Sequence, residues 1–244
     1  MQTLGQTRST RKADHALLTP DTFVRAALPG MKNATAIVHT APAMGAAFTE
    51  YTVEFAAGGL LGPALGQRFL YVLEGLVEVA IGGKRHSLSY GGHAFLPEGE
   101  KHSVKSAGVS RAIVIEKPYQ ALRGVPTPKP FVGQENRIAP QPLQGDQALQ
   151  VRQLIPANFA HDFAVNTMTF NPGATLPMVE IHVMEHGLLM LEGGGIYRLG
   201  DCWHPVTAGD FIWMGPYCPQ WFGALGKKPA KYLIYKDWNR HPLA

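Results

Sequence analysis

Residues 179–187 read VEIHVMEHG. Glu180, His182 and His186 are all even-numbered. In an extended segment successive side chains alternate faces, so these three are expected to point the same way. Two imidazoles and one carboxylate on one face are a plausible donor set for a divalent metal. Hard oxygen donors beside imidazole suit Mn²⁺ or Fe²⁺ better than a thiolate-type zinc site. An ion there can hold a substrate by chelation and lower the pKa of a bound water. Glu185 has the opposite parity and is expected to be solvated or to stand behind the ligands. The bland alternative is a strand with charged residues on its wet face, or with satisfied core histidines.

A second stretch could do chemistry. AKYLIYKDW (230–238) has strand composition, and Tyr232, Ile234 and Lys236 share one of its faces. If that face lines a barrel interior, a lysine there must meet an anion or lose its proton. The opposite register leaves Lys236 in solvent, and the residues alone leave both registers open. Tyr197 has a weaker case, since a tyrosine in a barrel mouth is often only packing.

The elements that must position these residues are short strands. Runs such as TAIVHT, QRFLYVLEG, LVEVAI and SRAIVIEK are rich in β-branched and aromatic residues and are separated by Gly or Pro. Gly 27 and Pro 19 in 244 residues fit many strands joined by turns. Few windows show a helical period; LQGDQALQVRQL (143–154) shows it best. At 45% hydrophobic the chain can bury a core, so disorder is excluded.

The chain divides and repeats. Residues 1–14 read as a flexible basic arm with Arg8, Arg11 and Lys12, and residues 118–145 as a Pro-rich linker between halves at 15–117 and 146–244. Shifted by 118, Leu73-Glu74-Gly75 falls on Leu191-Glu192-Gly193, Gly82 on Gly200, His86 on His204 and Gly91 on Gly209. Upstream, VEFAAGG and MTFNPGA align at a shift of 115. One supersecondary plan is used twice, and without crossover helices it must be a sandwich or barrel. His86 and His204 follow turns in both copies and are expected to be structural.

Composition excludes several classes. The net charge is +4 with no basic stripe interleaved with aromatics, so nucleic-acid binding is not expected. Cys202 and Cys218 form neither a CxxC pair nor a disulfide framework, and neither is placed to join the metal donors. A reduced, cytoplasmic chain is expected, with no secretory signal, no peroxisomal address and no apolar run of roughly 20 residues to span a bilayer.

Each copy reads as strand, ligand-type cluster, Gly turn and strand; in the first copy this ends in Gly91-x5-Pro97-x-Gly99-x-x-His102. That pattern resembles the cupin family of jelly-roll barrels, and two copies imply a bicupin, two tandem all-β barrels over roughly residues 35–240. The usual cupin ligands are His-x-His, then Glu, then a final His. In the first copy those slots hold Gly62, Ala64, Arg68 and His102, so His102 is expected to be a remnant. In the second they hold Glu180, His182, His186 and Gln220. This permuted set, with HALLTPD near the start and YKDWNR near the end, resembles the (S)-ureidoglycine aminohydrolase family over about residues 15–242.

The resemblance implies a manganese-dependent bicupin of purine (allantoin) degradation that converts (S)-ureidoglycine to (S)-ureidoglycolate and ammonia. It implies one Mn²⁺ in the C-terminal barrel on Glu180, His182, His186 and Gln220, and substrate contacts from Tyr197, Tyr232 and Lys236. Glu180 and Lys236 are the expected catalytic groups, and the expected partner is a small anionic ureido substrate. A homo-oligomer is expected, joined through residues 1–34 or the Pro-rich linker. The alternatives are another metal cupin, such as a non-haem iron dioxygenase, and a non-enzymatic small-molecule-binding cupin.

Overall fold

The computed structural model describes residues 6–237. Expectations for residues 1–5 and for Trp238, Asn239 and Arg240 lie outside them. The chain is mostly β and forms two compact units. Among the described residues, one comprises 24–138 and 157–162; the other comprises 6–23, 139–156 and 163–237. No described helix is long and apolar enough to cross a membrane.

In the N-terminal unit, antiparallel strands from Arg25–Ala26 to Phe131–Gln134 form one ten-stranded sheet. Strand alternation builds its core. Tyr51, Val53 and Phe55 project from Thr49–Leu60, and meet Leu70 and Val72 from Gln67–Glu74 and Ala112 and Val114 from Ser110–Lys117.

The C-terminal unit pairs an eight-stranded sheet with a three-stranded one, Gly194–Leu199, Cys202–Thr207 and Gln220–Ala224. Between them lie Met168, Phe170, Leu188, Met190, Tyr197, Phe222 and Tyr232. The repeated Leu-Glu-Gly motif serves one turn in both units. Gly75 and Gly193 have φ of +74° and +65°. A Cβ on either would sit 2.6 Å or 2.5 Å from the carbonyl oxygen of Val109 or Pro229 respectively.

Several expectations are corrected. From Gln6 onward the arm is structured: Thr10–Arg11 pairs with His15–Leu18, which pairs with Phe211–Met214. Arg8 is held by two bonds to Asp210, at 2.7 and 2.9 Å. Residues 6–23 therefore belong with the C-terminal unit, not with the half that follows them. Residues 143–154 are not helical; Asp146–Gln153 pairs with Ala164–Phe170, because sheet pairing overrides a local period that suited either element. The Pro-rich segment also contributes strands, Phe131–Gln134 on Gly92–Leu96 and Gln141–Leu143 on Asp146–Gln153.

Candidate active site

The strand expected across 179–187 begins only at His186. Glu180 is positioned by an isolated bridge instead: its N–H donates to the Gln220 carbonyl at 2.8 Å, and the Gln220 N–H donates back at 3.0 Å. Residues 181–185 then run as irregular chain, tied down where the Tyr217 N–H donates to the His182 carbonyl at 2.7 Å. Tyr217 has φ +62°, in the slot where the first copy has Gly99 at φ +81°. A bulky residue in this left-handed turn is costly, and its bond to the ligand loop helps hold it there.

The four donors meet despite the irregular backbone. His182 Nε2 lies 3.4 Å from His186 Nε2, 2.9 Å from the Gln220 amide and 3.8 Å from Glu180 Oε2. Two donors at right angles, each about 2.1 Å from one ion, sit about 3 Å apart, so this spacing fits a shared cation. The Gln220 carboxamide presents nitrogen here; its oxygen, the group able to ligate, reaches the same place by a half-turn.

His186 is prepared for that role. Its Nδ1 lies 3.1 Å from the Tyr235 carbonyl. A carbonyl only accepts, so Nδ1 carries the proton and the Nε2 lone pair faces the cluster. Burial, with smaller contributions from His182 and Lys236, pushes its pKa down to about 3, so the ring is neutral at physiological pH.

These donors open into a cavity of about 340 Å³ shared with Tyr197, Tyr232 and Lys236. Tyr232, Ile234 and Lys236 all line it, so the interior register of the last strand is the one formed. Burial raises both phenols far above their ordinary range, leaving them as hydrogen-bond donors. Burial holds the Lys236 pKa below its ordinary value, and the Glu180 carboxylate offsets this only in part. Met168, Leu176, Met184, Leu143 and Val151 supply apolar walls.

Glu185 is buried, and its Oε1 accepts from Trp213 Nε1 at 2.8 Å, which excludes the solvated reading. Cys202 and Cys218 form no disulfide. Cys218 lies with Asp14 and His15, in a group of ligand-type atoms within 4.8 Å of one another, apart from the Glu180 cluster. Sequence reasoning missed Asn166. It lines the same cavity, and its carboxamide is best oriented with the oxygen 3.1 Å from Lys236 Nζ. Its parity with Met168 and Phe170 on an otherwise inward face was the available signal.

A barrel repeated twice, with a clustered imidazole–carboxylate–amide set in the second copy, defines a bicupin of metal-binding type. Residues 166–235 match the family model of the cupin domain. The chain is 41% identical over 98% of its length to (S)-ureidoglycine aminohydrolase from Arabidopsis thaliana, covering 80% of that protein. It is 31% identical to (S)-ureidoglycine aminohydrolase from Escherichia coli (strain K12) over 94% of this chain and 90% of that one. The solved structure of protein Ylba from E. coli superposes with a TM-score of 0.86 at 30% identity, over 97% and 96% of the two chains. The chain belongs to the (S)-ureidoglycine aminohydrolase family.

Proposed function

We propose that this chain hydrolyses (S)-ureidoglycine to (S)-ureidoglycolate and ammonia, with one Mn²⁺ bound in the C-terminal barrel. The observation that carries this is the convergence of Glu180, His182, His186 and Gln220 beside Lys236 in a single cavity. Those four residues would hold the ion; bound there, it supplies substrate chelation and a more acidic water.

The chain's own groups do the rest. The substrate has one carbon bearing an amine, a ureido group and a carboxylate. The amine leaves as ammonia after gaining one proton, which leaves an electron-poor N-acyliminium carbon, and the hydroxide left from the deprotonated water adds there. Lys236 and the donor phenols of Tyr197 and Tyr232 hold the carboxylate, so that one face of that carbon meets the water and one enantiomer forms. Glu180 is the anionic member of the donor set and passes a proton from water to the departing amine. The apolar walls exclude bulk water, which strengthens each charged contact.

Ammonia release from freshly generated substrate, with a spontaneous-release control and the chirality of the product, tests this reading. Glu180→Gln and Lys236→Ala should each lose more than about tenfold in kcat/KM, which is about 1.4 kcal/mol of transition-state stabilisation. Activity within tenfold of the parent removes the role from that residue. A racemic product at the uncatalysed rate overturns the function.

A further inference from the structure

Asn166 sits on the strand Ala164–Phe170, antiparallel to Ala230–Lys236. Ala164 lies opposite Lys236, and Asn166 lies opposite Ile234. Asn166 and Lys236 are therefore diagonal neighbours on one sheet face, a spacing that long polar side chains can bridge. With its amide turned so that both ends are satisfied, the Asn166 oxygen accepts from Lys236 Nζ at 3.1 Å, and its nitrogen donates to the Val165 carbonyl at 3.0 Å. That second bond settles the amide: with nitrogen committed to a carbonyl, oxygen must face the ammonium. Asn166 is 3% exposed, so neither bond competes with bulk water.

The choice of an amide has a consequence. An acceptor is needed to hold a long, flexible lysine in one place. A carboxylate would hold it too, but would cancel its charge. An amide fixes the ammonium without adding a negative charge of its own beside it. We propose that Asn166 is a positioning residue for Lys236, and that its neutrality makes the cavity select substrates bearing a carboxylate. This rests on the reading above, in which Lys236 receives the substrate carboxylate.

Two unreactive probes test it: N-carbamoylglycine, which keeps the ureido and carboxylate groups but lacks the leaving amine, and its primary amide, which lacks the charge. Calorimetric affinities are measured on the metal-loaded parent, Asn166→Asp and Asn166→Ala, with metal content checked for each. The parent should prefer the carboxylate probe by about tenfold or more, the scale of a charge-assisted contact. Asn166→Asp should abolish that preference, with the amide probe within about threefold of parent. Asn166→Ala should narrow the preference by a smaller factor, since the ammonium loses its tether but keeps its charge. With substrate, Asn166→Asp should raise KM by about tenfold while kcat stays within about threefold. If both probes weaken together, or the preference survives in Asn166→Asp, Asn166 is only structural and the proposal falls. A parent that shows no preference overturns the Lys236–carboxylate reading itself, an outcome the variants alone cannot produce.

Discussion

Where the C-terminal unit carries His186, the N-terminal unit carries Arg68 at the equivalent repeat position. In the C-terminal unit four donors crowd within a few ångströms, with more lone pairs than protons to share, an arrangement suited to an external cation. In the N-terminal unit the cation is part of the chain. Arg68 donates to Glu116 Oε1 at 2.7 Å, to the Gly62 carbonyl at 2.9 Å and to His102 Nε2 at 3.0 Å. Gly62 and His102 are themselves two of the other ligand slots. His102 Nδ1 donates to the Glu100 carbonyl at 2.8 Å, which leaves Nε2 free to accept. Tyr51 completes the set by donating to Glu116 at 2.9 Å. A guanidinium is always charged and brings five donors, so it satisfies the remnant ligands without anything from solution.

The largest effect separating the two units should come from the donors themselves. His182→Ala is expected to empty the C-terminal barrel of metal and lower kcat/KM on the order of 10⁴-fold, the several kcal/mol that a bound divalent ion contributes. His102→Ala, the corresponding test in the other unit, should leave metal content unchanged. Elemental analysis of both proteins decides it. Metal lost from the His102 variant would mean that the N-terminal barrel is not self-sufficient.

Arg68→Ala comes next. It strips partners from Glu116, His102 and the Gly62 carbonyl at a site that is 2% exposed. Removing one member of a buried ion pair costs about 3–5 kcal/mol, because the other charge stays behind. Denaturant unfolding should show that loss with metal content unaltered. A loss under about 1 kcal/mol would mean that Glu116 finds water and that the guanidinium is not the substitute cation.

Much of this contrast was legible in the sequence, and what was missed shares a cause. Ligand slots are local, so Glu180, His182, His186 and His102 could be read from spacing, and the repeat supplied Gln220 and Arg68. Glu116 and Tyr51 join Arg68 from 48 and 17 residues away across two other strands, and no local period announces them. Asn166 was hidden likewise, because its meaning depends on which strand pairs beside it. The alternation argument for 179–187 grouped residues that the fold does bring together, but its premise was imperfect, since the Glu180–Gln220 bridge, not a continuous strand, places them. The order of residues 10–18 needed a partner about 200 positions away, at Phe211–Met214.

Glu50 gives a smaller, pH-dependent contrast. By the 115 shift its counterpart is Val165, and both are fully buried. Neither Glu50 oxygen has a hydrogen-bond partner among the described residues, and burial pushes its pKa from 4.5 up to about 8. In the folded chain it stays protonated and passes for an apolar residue at neutral pH. A folded pKa above the unfolded value means that its contribution is full below about pH 4.5 and is lost as pH rises toward 8. Glu50→Gln should therefore gain about 2–4 kcal/mol relative to the parent between pH 5 and pH 8. A stability difference that stays flat over this window would show that Glu50 is ionised when folded.

The smallest expected effect concerns how each barrel is edged. Phe131–Gln134 pairs with Gly92–Leu96, and His15–Leu18 pairs with Phe211–Met214, the same position in the two repeats. The N-terminal unit takes its edge strand from chain that follows its barrel; the C-terminal unit takes one from far upstream. The upstream strand needs an anchor, and Arg8 supplies it through the fully buried Asp210 and the Pro205 carbonyl at 2.8 Å. Arg8 is itself 40% exposed, so solvent screens the pair and Arg8→Ala should cost only about 1 kcal/mol. Its signature is local. Amide exchange should quicken at residues 10–18 and 211–214 and stay unchanged at 131–134, because only the first edge depends on the arm. Equal quickening at both edges would mean that the arm stabilises the whole chain and is not an anchor for one strand.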